Sequence, residues 1–309
     1  MMNPENITQY SIHAWLLAIR PKTFGVAVAP VLAALAVCLS DTGTINPLVA
    51  LLTALLAILM QAITNMENDS GYSKRKAERT NRKGLPRVTS LGLLSVKQVE
   101  TGIAIAAVIA IAITAYFIYL TYWFFLLITI ASIAAAYLYM GGPRPIAYSP
   151  YGEIVVFLFF GLVATAGTYY LQVQTVSVTI LLVGCALGLI AAAVLCVNNF
   201  RDREHDESIA RYTMAVVLGK TMTIAAYRLM LFVPYALILC IVGMDWTKYP
   251  YLLVFVTLLK AWKLPVELAT KSGLELNATL FATVKLEVLF ALSLTLGALI
   301  HAYLTWFAQ

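Results

Sequence analysis

The stretch VNNFRDREHDE at 197–207 is dense in side chains that do chemistry. Asn198, Asp202 and Asp206 are spaced by four. At about 100° per residue, such positions fall within roughly 80° of arc on one helix face. Two carboxylates and an amide oxygen are hard ligands. That set suits Mg²⁺, which keeps several waters and is commonly shared with substrate phosphates. Arg201 and Arg203 stand beside them, available to phosphate oxygens. The competing reading is a solvated helix end in which Asp206 merely pairs with Arg203. Position weighs against it, because an apolar helix runs into the cluster, where acids are costly unless they do something.

A second polar block, NMENDSGYSKRKAERTNRKGLPR at 65–87, follows another apolar run. Asn65, Asn68 and Asp69 sit at i, i+3 and i+4, again one helix face, and Tyr72 and Lys76 continue it. Glu67 points to the far side. Gly71 permits the helix to loosen or end, after which Glu78 is able to swing back. Two amides, one sure carboxylate, a phenol and an ammonium make a poorer cation site than the first cluster.

The elements that must position these residues are membrane helices. The chain has 309 residues, 61% of them hydrophobic and 12% charged, with a mean hydropathy of +0.85. Soluble domains carry about 25% charged residues, so one all-α integral membrane domain over 1–309 is expected. Nine spans are legible: 23–40, 46–66, 101–119, 121–140, 152–172, 176–198, 222–243, 249–267 and 284–306. The N-terminal segment, 1–22, lacks the pattern of a secretory signal. Its amphipathic run from Ile12 to Ile19 is expected along the membrane surface. Cys38, Cys185, Cys196 and Cys240 lie in apolar runs without CxxC spacing and read as small buried hydrophobes.

Lys and Arg set the orientation. With the N-terminus inside, the two longest polar segments, 67–100 and 199–221, are cytoplasmic caps, and Lys248 is the sole basic residue outside. The expected location is the inner (cytoplasmic) membrane, multi-pass, with N-terminus and active-site loops cytoplasmic. The net charge of +6 is then a one-sided surface facing anionic lipid, with no nucleic-acid partner.

Read together, the two clusters resemble the UbiA superfamily of intramembrane aromatic prenyltransferases. The likeness covers most of the chain. It includes AIRPKT at 18–23, NPLVALL at 46–52, GGPRPIAYSPYGE at 141–153 and YYLQ at 169–172. Its most specific part is VNNFRDREHDESIARYTMAVVLGK at 197–220, similar to the family's second Asp-rich motif, NNxRDxxxD. The resemblance implies helices around a central, lipid-accessible cavity capped by the Asp-rich loops. It implies transfer of a polyprenyl group from polyprenyl diphosphate to an aromatic acid acceptor, closest to the subgroup using 1,4-dihydroxy-2-naphthoate for menaquinone. On that basis Asn198, Asp202 and Asp206 hold one Mg²⁺, Asn65, Asn68 and Asp69 contribute to another, and Arg82 and Arg87 lie near the diphosphate.

The sequence departs from the family pattern at Tyr72, where a further aspartate is expected, and in NRKGLPR at 81–87. Three accounts stand open. Lys76 supplies charge to the diphosphate directly, or Glu67 or Glu78 reaches the vacant position, or the scaffold binds isoprenoid diphosphate without catalysis. A different acceptor, or cyclisation of the isoprenoid, is the remaining enzymatic alternative. Diphosphate departure leaves an allylic cation that aromatic faces steady. Tyr139 and Tyr148 are the candidates, with interface anchoring as the rival role. Arg201 serves phosphate oxygens. Lys22 and Arg144 are candidate cations for an acceptor carboxylate, with topology as the rival role, and Glu153 is a candidate for proton removal or acceptor hydrogen bonding, with a simple interface residue as its rival role.

Overall fold

The structure, a computed structural model, describes residues 7–75, 86–121 and 124–308. Among the described residues it is helical with no strand. Helix α1 (Ile12–Ile19) forms on the expected amphipathic run, capped by the Ser11 hydroxyl. It buries Ala14 and Ala18 and exposes Ile12. A short 3₁₀ turn, Pro21–Thr23, leads into α2 (Phe24–Thr42). Helix α3 (Pro47–Lys74) begins as its sequence dictates, with Pro47 at the first helical position and the Asn46 side chain accepting from the Leu48 and Val49 amides. Then come α4 (Val96–Thr121) and α5 (Phe124–Met140). The next unit is α6 (Gly152–Val156), a π-helical turn (Phe157–Val163) and α7 (Ala164–Val173). Helices α8 (Val178–Ser208) and α9 (Met214–Met244) follow. A 3₁₀ stretch (Trp246–Thr257) leads into α10 (Leu258–Thr270), and α11 (Leu276–Ala302) ends in a π-helical turn (Tyr303–Phe307).

Each of the nine anticipated spans coincides with a helical element. Seven of these are long and apolar enough to cross a membrane, and an eighth, Phe125–Met140, is apolar but shorter. The unit at 246–270 divides between 3₁₀ and α winding, so nine is an approximate count. The chain is an integral, multi-pass membrane protein.

The two segments expected as capping loops are partly helical. Helix α3 runs on to Lys74 and α8 to Ser208, so both clusters sit on the last turns of spanning helices. Helix α9 starts at Met214 and breaks at Gly219, whose φ of 68° lets the chain turn where the span was expected to start. Gly71 does not loosen α3. A Cβ there would lie 2.8 Å from the Met140 Cβ, so this glycine admits the end of α5. Cys240 is exposed on α9, because its face of the helix carries no protein neighbour, and it is not the buried hydrophobe expected.

Between apolar helices in lipid, packing and small residues drive association. Gly161 in the π turn meets Gly184 and Gly188 of α8: a Cβ on Gly161 would stand 2.5 Å from the Gly184 carbonyl oxygen and from the Gly188 Cα. The π-helical unit is thereby pressed against α8, with Phe159 and Phe160 turned to the interior cavity.

Candidate functional site: a chamber with a cationic mouth

A cavity of about 510 Å³ lies among α2, α3, α5, the α6–α7 unit, α8 and α11. Its walls are apolar, with Val31, Leu56, Phe159, Phe160 and Leu195 among them. Its cationic groups and asparagines gather at one end: Arg20, Lys22, Asn65, Asn68, Asn198, Arg201 and Asn277. That end is formed where α1, α3, α8 and α11 bring their polar turns together.

On α8, Asn198 and Asp202 lie one turn apart and hold one guanidinium between them. Arg201 donates to Asn198 Oδ1 at 2.8 Å, to Asp202 Oδ2 at 2.6 Å and to Asn277 Oδ1 at 2.7 Å. Sequence spacing joined Asp206 to this pair, but its oxygen Oδ1 accepts from Arg211 at 3.1 Å and its carboxylate is 2% exposed. Asp206 therefore faces a second set of groups. Arg211 also donates to the Ala147 carbonyl at 2.6 Å and to the Tyr72 hydroxyl oxygen. Burial works against the charge of Arg211, but the neighbouring Tyr72 and Asp206 outweigh it and hold its pKa above the ordinary arginine value.

On α3, Asn65 does not face the chamber alone: its Nδ2 donates to the Ile19 carbonyl and to the Thr23 hydroxyl, each at 2.9 Å. It fastens the α1–α2 elbow. Asp69 is fully buried. Arg20 donates to its Oδ1, and the Val88 amide donates to Oδ2 at 2.8 Å. Arg87 Nε lies 3.9 Å from Oδ1, and the Arg87 guanidinium stacks 3.3 Å from the Tyr72 ring centroid. Asn68 lines the chamber directly.

Two of these arginines are placed by left-handed backbone at residues that are not glycine. Arg20 has φ 53°, and Ala210, just before Arg211, has φ 55°. Such conformations cost of order 1–3 kcal/mol and persist where surroundings enforce them. Here the acids Asp69 and Asp206 do so.

Tyr139 and Lys22 line the chamber. Tyr148 does not; its ring has Arg75 5.5 Å on one side and Arg211 at 5.9 Å. Burial raises its pKa, with Tyr72 adding to the rise, so it stays a neutral phenol. Glu153 is 2% exposed and accepts from Asn199 Nδ2 at 3.0 Å, while its other oxygen has no hydrogen-bond partner. Lys76 and Arg82, with Glu78, lie outside the described residues. Arg144 is exposed.

Arg20 and Arg211 are not among the site residues expected from sequence, and neither are Gln61 and Asn277. Their signal was polarity out of place: Gln61 interrupts the apolar run of α3, and Asn277 stands just ahead of another. Among the described residues, no three His, Cys, Asp or Glu side chains are grouped to share an ion, so amide oxygens must complete any metal site.

An apolar chamber inside a helical membrane protein, open at one end to cations and amides, defines a class that takes an amphiphile with an anionic head. Comparison with known proteins agrees. The model of the UbiA prenyltransferase family matches residues 27–285, and the chain belongs to that family of membrane prenyltransferases. It is 30% identical over 270 residues to the 1,4-dihydroxy-2-naphthoate octaprenyltransferase of Haemophilus influenzae, covering 84% of this chain and 87% of that one. The Escherichia coli protein of the same name is 33% identical over 213 residues, 67% of this chain and 69% of its own. Among solved structures, a UbiA homolog from Archaeoglobus fulgidus bound to GPP and Mg²⁺ superimposes with a TM-score of 0.65 at 16% identity, covering 91% of this chain and 99% of that one. An apo UbiA homolog from Aeropyrum pernix K1 gives 0.65 at 17%, covering 89% and 97%.

Proposed function

We propose that this protein transfers a polyprenyl group from polyprenyl diphosphate to an aromatic acid, 1,4-dihydroxy-2-naphthoate, in menaquinone synthesis. The observation that carries the reading is the chamber itself: apolar walls with Arg20, Lys22 and Arg201 at one end. The relatives' shared name supplies the acceptor.

In this reading the isoprenoid tail lies in the chamber and its diphosphate at the mouth. The allylic carbon–oxygen bond breaks, diphosphate leaves with the electron pair, and an electron-rich ring carbon forms the new carbon–carbon bond and then loses its own proton, which restores the aromatic ring. Asn198 and Asp202 fit a divalent ion, since both already turn oxygens on one cation, the Arg201 guanidinium. A divalent ion held by these two residues would supply positive charge to the departing diphosphate. Arg201, released from these two residues, turns a guanidinium to the phosphate oxygens. Lys22, exposed at the mouth, takes the acceptor carboxylate. The ring of Tyr139 faces the allylic cation, and the apolar walls keep water from quenching it. Glu153 is buried outside the chamber lining with one oxygen unpartnered, so in this reading it takes up the proton through a relay and does not touch the acceptor.

The mouth faces the cytoplasm of the inner membrane in this reading, since basic residues crowd its side. Trp246→Cys, in a cysteine-free background, should then react with an impermeant maleimide added to intact cells.

The function is tested by turnover of purified protein with a polyprenyl diphosphate and a panel of aromatic acceptors, with and without Mg²⁺. Prenylated dihydroxynaphthoate formed only with Mg²⁺ is the expected outcome. A chain inert with every acceptor overturns the reading.

A further inference from the structure

Asp69 of α3 and Asp206 of α8 are already neutralised by arginine, and the oxygen that continues the Asp69 face is a phenol. Asp69 is buried, with direct donors on both carboxylate oxygens from Arg20 and the Val88 amide. A divalent ion there must displace the Arg20 guanidinium, and Mg²⁺ demands near-octahedral room among oxygen ligands. One turn on, the Tyr72 oxygen accepts from Arg211, while the Arg87 guanidinium lies 3.3 Å from the ring centroid. A tyrosine hydroxyl both donates and accepts, so it is a weaker ligand for an ion than the acceptor-only carboxylate of an aspartate. Three guanidiniums, of Arg20, Arg87 and Arg211, face the two carboxylates of Asp69 and Asp206, so this region is cationic without a metal. The α8 pair differs. Asn198 lines the chamber and the Asp202 side chain is 14% exposed, so both are reachable.

We propose that this chain, on the prenyl-transfer reading above, works with a single divalent ion at Asn198 and Asp202, and that the Arg87–Tyr72–Arg211 assembly replaces a second ion. The assembly does two jobs that an ion would do. It presents fixed positive charge beside the mouth. It also ties the end of α3 to the segment between α8 and α9, since Arg211 bonds Tyr72 on one side and Asp206 and Ala147 on the other. Tyr72 is a positioning residue: it touches no phosphate, but holds two arginines at set places. A guanidinium stacked on an aromatic face keeps its orientation where a lysine would not.

The test uses the full chain in nanodiscs with Mn²⁺ and a non-hydrolysable prenyl thiodiphosphate. Bound Mn²⁺ is counted by electron paramagnetic resonance, and analogue binding is measured separately by its radiolabel. One Mn²⁺ per chain without Mn–Mn coupling is expected, falling to none in Asp202→Asn. Two Mn²⁺ per chain overturn the single-ion inference and leave the prenyl-transfer reading standing, as does analogue binding with no Mn²⁺. Failure of the analogue to bind overturns both. Tyr72→Phe keeps the ring under Arg87 and removes the acceptor for Arg211. It should weaken analogue binding about tenfold with the count still one, the size of a lost charged hydrogen bond. Unchanged affinity in that variant removes Tyr72 from the assembly.

Discussion

The two ends of the bundle both hold charge at membrane depth, and they handle it in opposite ways. At the end away from the mouth, Lys248 donates to Asp41 at 2.8 Å and to Thr179 at 3.2 Å, and the Tyr169 hydroxyl donates to the other Asp41 oxygen at 3.0 Å. Nearby, Ser40 joins the Tyr251 hydroxyl and His301 Nδ1, each at 2.8 Å. This is a closed network in which Lys248 meets Asp41, with an Asp245 oxygen 4.0 Å away, and hydroxyls fill the remaining valences. At the mouth, Arg201 is shared by an amide and a carboxylate beside an open chamber, and three further guanidiniums crowd two buried acids. The closed end has no use for an added anion. The mouth sets four guanidiniums, of Arg20, Arg87, Arg201 and Arg211, against the carboxylates of Asp69, Asp202 and Asp206 beside an open chamber, an arrangement that an anionic ligand complements. Charge in a membrane protein is thus a guide to function where it borders a cavity, and to stability where it is closed off.

Mutations should separate the ends by what they change. Asp202→Ala should have the largest effect, lowering kcat by about a thousandfold, the scale for removing a group that stabilises developing charge. Product formation measures it, and because Arg201 keeps Asn198 and Asn277 as partners, the melting temperature should fall less than in Lys248→Ala. An equal loss of thermal stability would put Asp202 in the closed kind of network instead. Lys248→Ala should invert that pattern. It strands the Asp41 carboxylate and should cost about 3 kcal/mol in stability, read by thermal melting in detergent, with turnover per folded molecule preserved. Tyr169→Phe removes one bond to the same carboxylate and should cost about 1.5 kcal/mol by the same measurement.

The smallest effect belongs to Asp245. Its carboxylate accepts from the Thr247 hydroxyl at 2.6 Å and the Thr247 amide at 3.1 Å, which lowers its pKa. A depressed acid adds stability above its unfolded value and loses it as pH falls through the folded one. Because the side chain is 46% exposed, Asp245→Asn should lower stability at pH 7 by about 0.5 kcal/mol. The difference from the parent should vanish in melts carried out below the usual carboxylate range.

The helices were legible because lipid admits few alternatives: apolar runs of the right length must wind, and all nine did so. Polar helix ends were harder. The segment 67–100 was expected as a cap, and the one-face spacing of Asn65, Asn68 and Asp69 anticipated its helical start; α3 carries it to Lys74, since Asn65, Asp69 and Arg75 each find partners on other elements. Four-residue spacing correctly set Asn198 beside Asp202. It placed Asp206 with them on the same arc, whereas Arg211, five residues further on and behind a left-handed Ala210, draws that carboxylate toward Tyr72. Spacing within one helix records direction. It holds no record of which arginine from another segment arrives to claim the group. Arg20 was unreadable for the same reason, since its partner lies 49 positions away.

The glycines that seat the π-helical turn on α8 bear on how large a tail the protein accepts. Phe159 and Phe160 stand between that seam and the interior space, while Gly161, Gly184 and Gly188 leave no slack on the other side. A single added methyl at the seam would drive the aromatic wall inward, so the capacity of the enclosure is governed by three residues whose side chains are hydrogen atoms and which never meet its contents.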